Sequence, residues 1–242
     1  MNFRFNEQQL LLQDNVKKFC NKELKNLSEN MEKNDFPVPK DIVKKIANLG
    51  FLGSNLPIEY GGGGLQNIDS VIILEEFAKI SSAVAFPVFE SSFGPALAIY
   101  HFGSENLRKK LLPKVCAGEI MIAICMSEPD AGTALTDLKT NLRKHNRKIL
   151  LNGNKRWCSG AGHAEYYLVY CNFEDESQQN KIGAVIVNKD QLGVTFGKLE
   201  NHMGFRGVPT RDIFFDNVEI DPENIVVGAG GFKKLMQAFD LE

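Results

Sequence analysis

The sequence predicts an α+β protein of several domains: an N-terminal α-helical domain, an antiparallel β-barrel domain, and the start of a further helix. Apolar residues recur at helical spacing through the first part of the chain. Short apolar runs separated by polar turns follow, as is typical of strands. Helical spacing then returns near the end. We therefore place the domains at residues 1–119, 120–225 and 226–242.

The helical part begins with Leu12, Val16 and Phe19, which share one helix face. Further helices are predicted at residues 41–49, 69–80, 95–101 and 105–117. Four glycines at 61–64 could be taken for a phosphate-binding loop. No strand precedes them and no acidic residue follows at the required spacing, so we expect a flexible turn.

The clearest strands are predicted at residues 149–151, 166–171, 182–187 and 213–215. Because no helices intervene, we expect an antiparallel sheet closed as a barrel or sandwich. After Gly231 the apolar residues fall on one helix face; they are Phe232, Leu235, Met236 and Phe239. This pattern still runs at Glu242, so we expect that a C-terminal helical domain is missing.

Composition excludes several classes of protein. The formal net charge is −2, and neither half carries the basic excess of a nucleic-acid-binding surface. We see no signal peptide and no run approaching the ~20 apolar residues of a membrane span. Five cysteines without a C-x-x-C motif indicate a reduced protein, cytoplasmic or, in a eukaryote, in the mitochondrial matrix. The four histidines lack metal-binding spacing.

Two segments carry chemistry. Residues 125–133 read Cys-Met-Ser-Glu-Pro-Asp-Ala-Gly-Thr, a strand that ends in a corner and a glycine turn. Its hydroxyl and free N–H groups suit a polar ring or a phosphate, although alone it is only a β-turn. Residues 151–162 hold Trp157, the one tryptophan, which alone would more often be a core residue.

A third segment, residues 203–220, contains Met-Gly-Phe-Arg-Gly-Val-Pro-Thr-Arg followed by Ile-Phe-Phe-Asp-Asn-Val. It is similar to the G-x-R-x-x-x-T turn and the F-x-D/N-V strand of acyl-CoA dehydrogenases. Together the three segments resemble that family from about residue 5 to the end. The resemblance implies FAD-dependent α,β-dehydrogenation of an acyl-CoA to the trans-2-enoyl-CoA, in which a glutamate takes the α-proton and flavin N5 receives the hydride.

The resemblance also implies site residues. Ser127 would bond the pyrimidine end of the flavin, and Ser159 would offer its hydroxyl near N5. Gly132 and Thr133 would approach the pyrophosphate, and Thr133 also the pantetheine arm of the substrate. Trp157 would pack against the isoalloxazine. The full set of implied flavin contacts is Ile124, Met126, Ser127, Gly132, Thr133, Trp157, Cys158 and Ser159.

Two features bear on the substrate and the base. Ala134 stands where the family usually has aspartate after its Gly-Ser pair, which puts the geometry of this loop in doubt. The final Phe239-Asp240-Leu241-Glu242 is similar to the L-D-L-E-R run of isovaleryl-CoA dehydrogenases. Glu242 is therefore a candidate catalytic base; in most of the family the base lies in the missing domain.

Alternatives remain open. The thioester could be carried by an acyl carrier protein, the enzyme could be an oxidase, or the chain could be an inactive fragment or one half of a split enzyme. The family implies an electron-transfer flavoprotein as partner and a homotetramer or homodimer for the full-length form. The floor of the acyl pocket would come from the missing helices and from a loop around residues 86–97. Residues 144–148 form a basic hairpin tip that could contact the CoA 3′-phosphate.

Overall fold

The computed structural model describes residues 4–174 and 181–239. Its N-terminal half is helical, and a π-helical turn at Cys20–Leu24 joins the first two helices. The helices are α1 (Glu7–Phe19), α2 (Lys25–Asn34), α3 (Lys40–Asn48), α4 (Asn67–Ala78), α5 (Ser82–Ser92), α6 (Pro95–Phe102) and α7 (Glu105–Cys116).

Four predicted helices are confirmed within two residues as α3, α4, α6 and α7. Helix α5 was not predicted, and the expected loop around residues 86–97 is wrong: α5 and α6 occupy it, broken only at Phe93–Gly94. Pro87 lies inside α5. A proline normally ends a helix, but here the surrounding residues are buried, and packing outweighs the lost hydrogen bond.

The segment Ser82–Phe102, 21 residues long, contains an 18-residue window with a mean hydropathy of 1.3, which is long and apolar enough to cross a membrane by length and composition. The expectation that no run approaches this length is therefore wrong. However, 89% of that window is buried inside the protein. Its apolar character is explained by its place in the core.

The glycines at 61–64 form an ordered turn, so the expectation of a flexible one is wrong. Backbone N–H groups of Gly62, Gly63 and Gly64 donate to the carbonyls of Pro57, Gly53 and Leu56. A Cβ on Gly62 would lie 2.2 Å from the Leu56 carbonyl oxygen. Glycine is thus required by close backbone packing.

Among the described residues eight strands follow, and every predicted strand is confirmed. They are β1 (Ile122–Cys125), β2 (Asn141–His145), β3 (Lys148–Ser159), β4 (Tyr166–Phe173), β5 (Ile182–Asn188), β6 (Val194–Phe196), β7 (Thr210–Glu219) and β8 (Ile225–Val227). Helix α8 (Phe232–Phe239) then begins where the returning helical pattern predicted it.

The strands form one sheet in the order β6-β7-β3-β2-β4-β5-β8, with β1 also paired to β4. Most pairs are antiparallel, as predicted, but β4 pairs in parallel with both β1 and β2. Tyr167 of β4 contacts Phe196 of β6, with ring centroids 5.8 Å apart, although three strands separate them in the sheet. The sheet therefore curls on itself.

Two apolar cores meet at β4 and β5. Tyr167, Val169 and Cys171 face the core inside the curled sheet, whereas Leu168 and Tyr170 face a core shared with α6, α7 and α8. Residues of β5 alternate in the same way. Both strands are buried on both sides, which explains their nearly continuous apolar sequences.

The β2–β3 hairpin turns at Asn146 and Arg147, which have φ values of 47° and 68°. Two left-handed residues define a turn in which asparagine followed by glycine is preferred. Arg147 therefore occupies a position that disfavours any residue with a side chain.

We expect Arg147→Gly to raise the free energy of unfolding by about 0.5–1 kcal/mol, because glycine adopts positive φ without steric cost. Arg143→Gly, at an exposed position within β2, is the matched control and should lower it by a similar amount. Urea unfolding of the wild type and the two variants measures both changes in the free energy of unfolding. An Arg147→Gly protein no more stable than the wild type would contradict this account of the turn.

Candidate active site

The three segments singled out in the sequence meet at one edge of the sheet. The Arg156 N–H donates to the Ser127 carbonyl at 2.8 Å, which joins the second segment to the first. The Gly160 N–H donates to the Pro209 carbonyl at 2.7 Å, and Ser159 pairs with Thr210, which joins it to the third. The strand pairing thus gathers residues that lie up to about eighty positions apart.

Trp157 lies on a β-bulge. The pairing of β3 with β7 shifts register between Lys155 and Cys158, and Trp157 has a φ of 55°. Its N–H donates to the Asp212 carboxylate at 3.2 Å instead of to the ladder. The bulge breaks regular strand alternation, yet it leaves Trp157 exposed and Ser159 half-buried, with Cys158 buried between them.

The indole of Trp157 is 61% exposed, so this residue does not belong to the core. The Arg156 guanidinium carbon lies 5.0 Å from the ring centroid, in a cation–π contact. An exposed aromatic ring beside half-buried serine hydroxyls is a surface suited to a planar polar cofactor.

The remaining implied contacts differ in accessibility. Gly132 and Thr133 are exposed, and a Cβ on Gly132 would meet nothing within 4 Å. The side chains of Ile124 and Met126 are half-buried and pack against the core shared with α6, α7 and α8. The Cys158 side chain is buried in the core inside the sheet. These last three residues could reach a cofactor at the sheet edge only through limited surface or backbone groups.

The helical half also reaches this edge. Phe86 of α5 makes an edge-to-face contact with Phe205, with centroids 5.9 Å apart. A Cβ added to Gly160 would lie 3.4 Å from the Phe86 ring. Sequence reasoning placed the region around residues 86–97 at the acyl pocket, but as a loop, and it did not single out Phe86. An apolar wall therefore stands beside the Ser159–Gly160 turn.

Sequence reasoning also missed the strongest polar feature, a buried ion pair between Glu128 and Lys155. The Lys155 Nζ lies 2.7 Å from the Glu128 Oε1, with 0% and 3% of the two side chains exposed. The same Nζ donates to the Met126 carbonyl at 2.9 Å. Glu128 was treated only as part of a turn, and Lys155 lies among the polar residues of β3, so no sequence signal marked the pair.

Electrostatics support the charged form of Glu128. Burial alone would raise the pKa of Glu128, but the Lys155 charge and hydrogen bonds from Lys155, Lys139 and Thr140 lower it overall. Burial lowers the pKa of Lys155, against the opposing effect of Glu128. The pair is thus held charged by contact between its members within an apolar surrounding.

Two models of one family match the chain. The N-terminal domain of acyl-CoA dehydrogenases matches residues 6–119, and the middle domain of the same family matches residues 123–218. The chain belongs to the acyl-CoA dehydrogenase family.

Individual relatives agree. The chain is 32% identical to a probable medium-chain specific acyl-CoA dehydrogenase from Caenorhabditis briggsae, covering 100% of this chain and 60% of that protein. It is 31% identical to the isovaleryl-CoA dehydrogenase of Pongo abelii, covering 98% of this chain and 57% of that protein. The chain thus spans somewhat over half the length of these relatives.

An acyl-CoA dehydrogenase from Bacillus anthracis, solved in complex with FAD, superposes with a TM-score of 0.86 at 29% identity. The match covers 98% of this chain and 41% of that one. FAD is the cofactor of the acyl-CoA dehydrogenase family. The exposed indole, the two accessible serines and the open turn at Gly132 fit such a group. The candidate base Glu242 lies outside the described residues.

We expect Lys155→Met to lower the free energy of unfolding by about 3–5 kcal/mol, because it leaves the Glu128 carboxylate buried without its partner. Lys148→Met is the matched control: Lys148 lies on the same strand and pairs with Glu219 at 2.6 Å, but both side chains are exposed. It should cost about 0–1 kcal/mol. Equal losses in denaturant unfolding would contradict the special role of the buried pair.

The pair should also make stability depend on pH. Because the folded pKa of Glu128 is lowered, its contribution is complete above the unfolded value of about 4.3 and is lost as pH falls through the folded pKa. The stability difference between wild type and Glu128→Gln should therefore shrink below about pH 4. A difference that stays constant from neutral to acidic pH would argue against a charged Glu128.

Proposed function

We propose that this chain forms the FAD-binding part of an enzyme that dehydrogenates an acyl-CoA thioester to its trans-2-enoyl-CoA. The observation that carries the proposal is the convergence of Ser127, Trp157 and Ser159 on one sheet edge, through hydrogen bonds between their segments. Family membership supports it, since the relatives are oxidoreductases.

FAD, when bound, supplies the acceptor for the hydride that leaves the acyl chain. The chain's own residues would orient and enclose it. Trp157 would cover one side of the ring system, and the Ser127 and Ser159 hydroxyls would bond its polar edge. The exposed turn at Gly132 and Thr133 would lie against the pyrophosphate. Phe86 and Phe205 would help exclude water from the reacting carbons.

Proton abstraction requires a base, and we propose Glu242. On a regular continuation of α8, position 242 follows Phe239 by three residues and so shares the face of Leu235. Leu235 is fully buried. A carboxylate on that face would be removed from water, which raises its basicity. The alternative is the base that most of the family draws from its C-terminal helical domain.

The reaction is tested by incubating the protein with FAD, an artificial electron acceptor and a panel of acyl-CoA thioesters, and by identifying the products by mass spectrometry. We expect enoyl-CoA, which is lighter than its substrate by two hydrogens. A parallel experiment with acyl groups attached to a carrier protein tests the second candidate substrate, an acyl-carrier-protein thioester. The cellular site and the electron-transfer flavoprotein partner are proposed from the family alone.

We expect the 242-residue chain by itself to bind FAD weakly. Gly132, Thr133 and Trp157 are exposed, so much of a bound FAD would remain in contact with water, whereas ligand pockets normally bury about 70–90% of the ligand. Titration with FAD, followed by quenching of the single tryptophan, measures the affinity. A chain that keeps stoichiometric FAD through dialysis would show this expectation to be wrong.

Glu242→Gln should reduce exchange of the substrate α-proton by about 10²–10⁴-fold, because an amide cannot accept that proton. The measurement is deuterium incorporation into bound acyl-CoA, made in a form of the protein that binds FAD and substrate. Asp240→Asn, two residues away, is the control and should leave exchange unchanged. Normal exchange in Glu242→Gln would assign the base to another residue.

A further inference from the structure

The segment between residues 128 and 140 is closed at its base by one carboxylate. The Glu128 Oε1 accepts hydrogen bonds from the Thr140 N–H at 3.0 Å and from the Lys155 ammonium at 2.7 Å. Its Oε2 accepts one from the Lys139 N–H at 2.6 Å. A single side chain near the start of the segment therefore holds both the end of the segment and the neighbouring strand.

The other contacts of this segment are local or lie at its far end: a bridge between Glu128 and Ala131, a 3₁₀ turn at Leu135–Asp137, and hydrogen bonds from Asn172 to the carbonyls of Leu138 and Thr140. Most of its residues between 129 and 137 are exposed, and Ala131 and Leu138 are its main buried side chains. The one ion pair within it joins Lys139 to Asp130. Both side chains are exposed, so the pair contributes little to the stability of the loop. The conformation of the loop thus depends on the contacts that Glu128 makes at its base.

Lys155, the other member of the pair, holds the corner at residues 126 and 127. Lys155 also donates to the Met126 carbonyl, and the next N–H along the strand, that of Arg156, donates to the Ser127 carbonyl. Trp157 follows directly. Three consecutive residues of β3 therefore fix the distance between the serine corner and the indole.

We propose that Glu128 and Lys155 are the positioning residues of the flavin site: together they set the loop that carries Ser127, Gly132 and Thr133 against the wall formed by Trp157. This inference rests on the proposed function, because it assigns the pair a role toward FAD. Neither residue needs to touch the cofactor. A buried ion pair is weak evidence for stability, since apolar pairs of similar size often serve as well. What an apolar pair could not supply is the set of directed bonds to the Met126 carbonyl and to the Lys139 and Thr140 amides.

The test compares wild type, Lys155→Met, Glu128→Gln and the exposed control Lys148→Met. If Lys155→Met fails to fold, Glu128→Gln still allows the test, because its amide has the same shape as the carboxylate and the protein should fold. The amide NH₂ must then face a donor, either Lys155 or one of the two backbone N–H groups, so part of the network is lost. Native-state hydrogen exchange and FAD titration by tryptophan quenching are measured on each folded protein.

Exchange is compared at matched global stability, with urea added to the wild type and to Lys148→Met. We then expect the Lys139 and Thr140 amides to exchange about tenfold or more faster in both pair variants, while amides of β5 differ less. We expect FAD affinity to fall by about tenfold, the lower end of the loss when residues that support a binding site are removed. Lys148→Met should change neither. A merely structural role would accelerate core and loop amides alike.

Loop amides that stay protected in Glu128→Gln, or a loosened loop with unchanged FAD affinity, would overturn this inference while leaving the proposed cofactor intact. A wild-type chain whose tryptophan is quenched no more than free tryptophan, even at the highest FAD concentration, would instead contradict the proposed cofactor, and this inference with it. The two failures are therefore distinguishable within one set of titrations.

Discussion

Burying opposite charges in an apolar interior is costly unless each charge finds its partner and further hydrogen bonds. Lys155 lies within β3 and has no exposed surface, and Glu128 is the group that makes its charge tolerable there. The ion pair therefore holds the corner that follows β1 against β3. Glu128 also accepts hydrogen bonds from the backbone N–H groups of residues 139 and 140, which close the loop. The architecture around the proposed cofactor follows from this local electrostatic demand.

Strand β3 links this demand to the rest of the molecule. Its first residues pair with β2 and its whole length with β7, whose loop extends to the helical half through contacts of Gly207 with Asp35 and Arg206 with Glu32. The bulge at Trp157 uses the end of the same strand to turn an aromatic ring outward. One strand thus carries both the buried ion pair and the proposed cofactor surface. Substitutions at Lys155 should therefore change the position of Trp157.

The sequence was sufficient for much of the fold, because periodicity reports which faces are buried. It failed at α5, a helix that contains Pro87 and is buried over most of its length, so that apolar residues on all its faces hide the helical spacing. It also failed for the parallel pairing of β1 and β2 with β4, since pairing is a long-range property that no local pattern encodes. At the site, short motifs brought out Trp157 and the serines. The Glu128–Lys155 contact and the approach of Phe86 required coordinates, because each joins residues far apart in the chain.

The apolar stretch formed by α5 and α6 has a consequence for biogenesis. Many of its partners come later in the chain: α6 packs with β4, β5, β8 and α8, more than sixty residues downstream. At a synthesis rate of about 5–20 residues per second, this stretch leaves the ribosome on the order of ten seconds before its covering strands exist. During that interval a segment with the hydropathy of a membrane helix is exposed to the cytosol and to targeting factors. The nascent chain should therefore depend on chaperones that shield apolar helices, and substitutions that slow docking of β4 should lower the yield of folded protein more than its final stability.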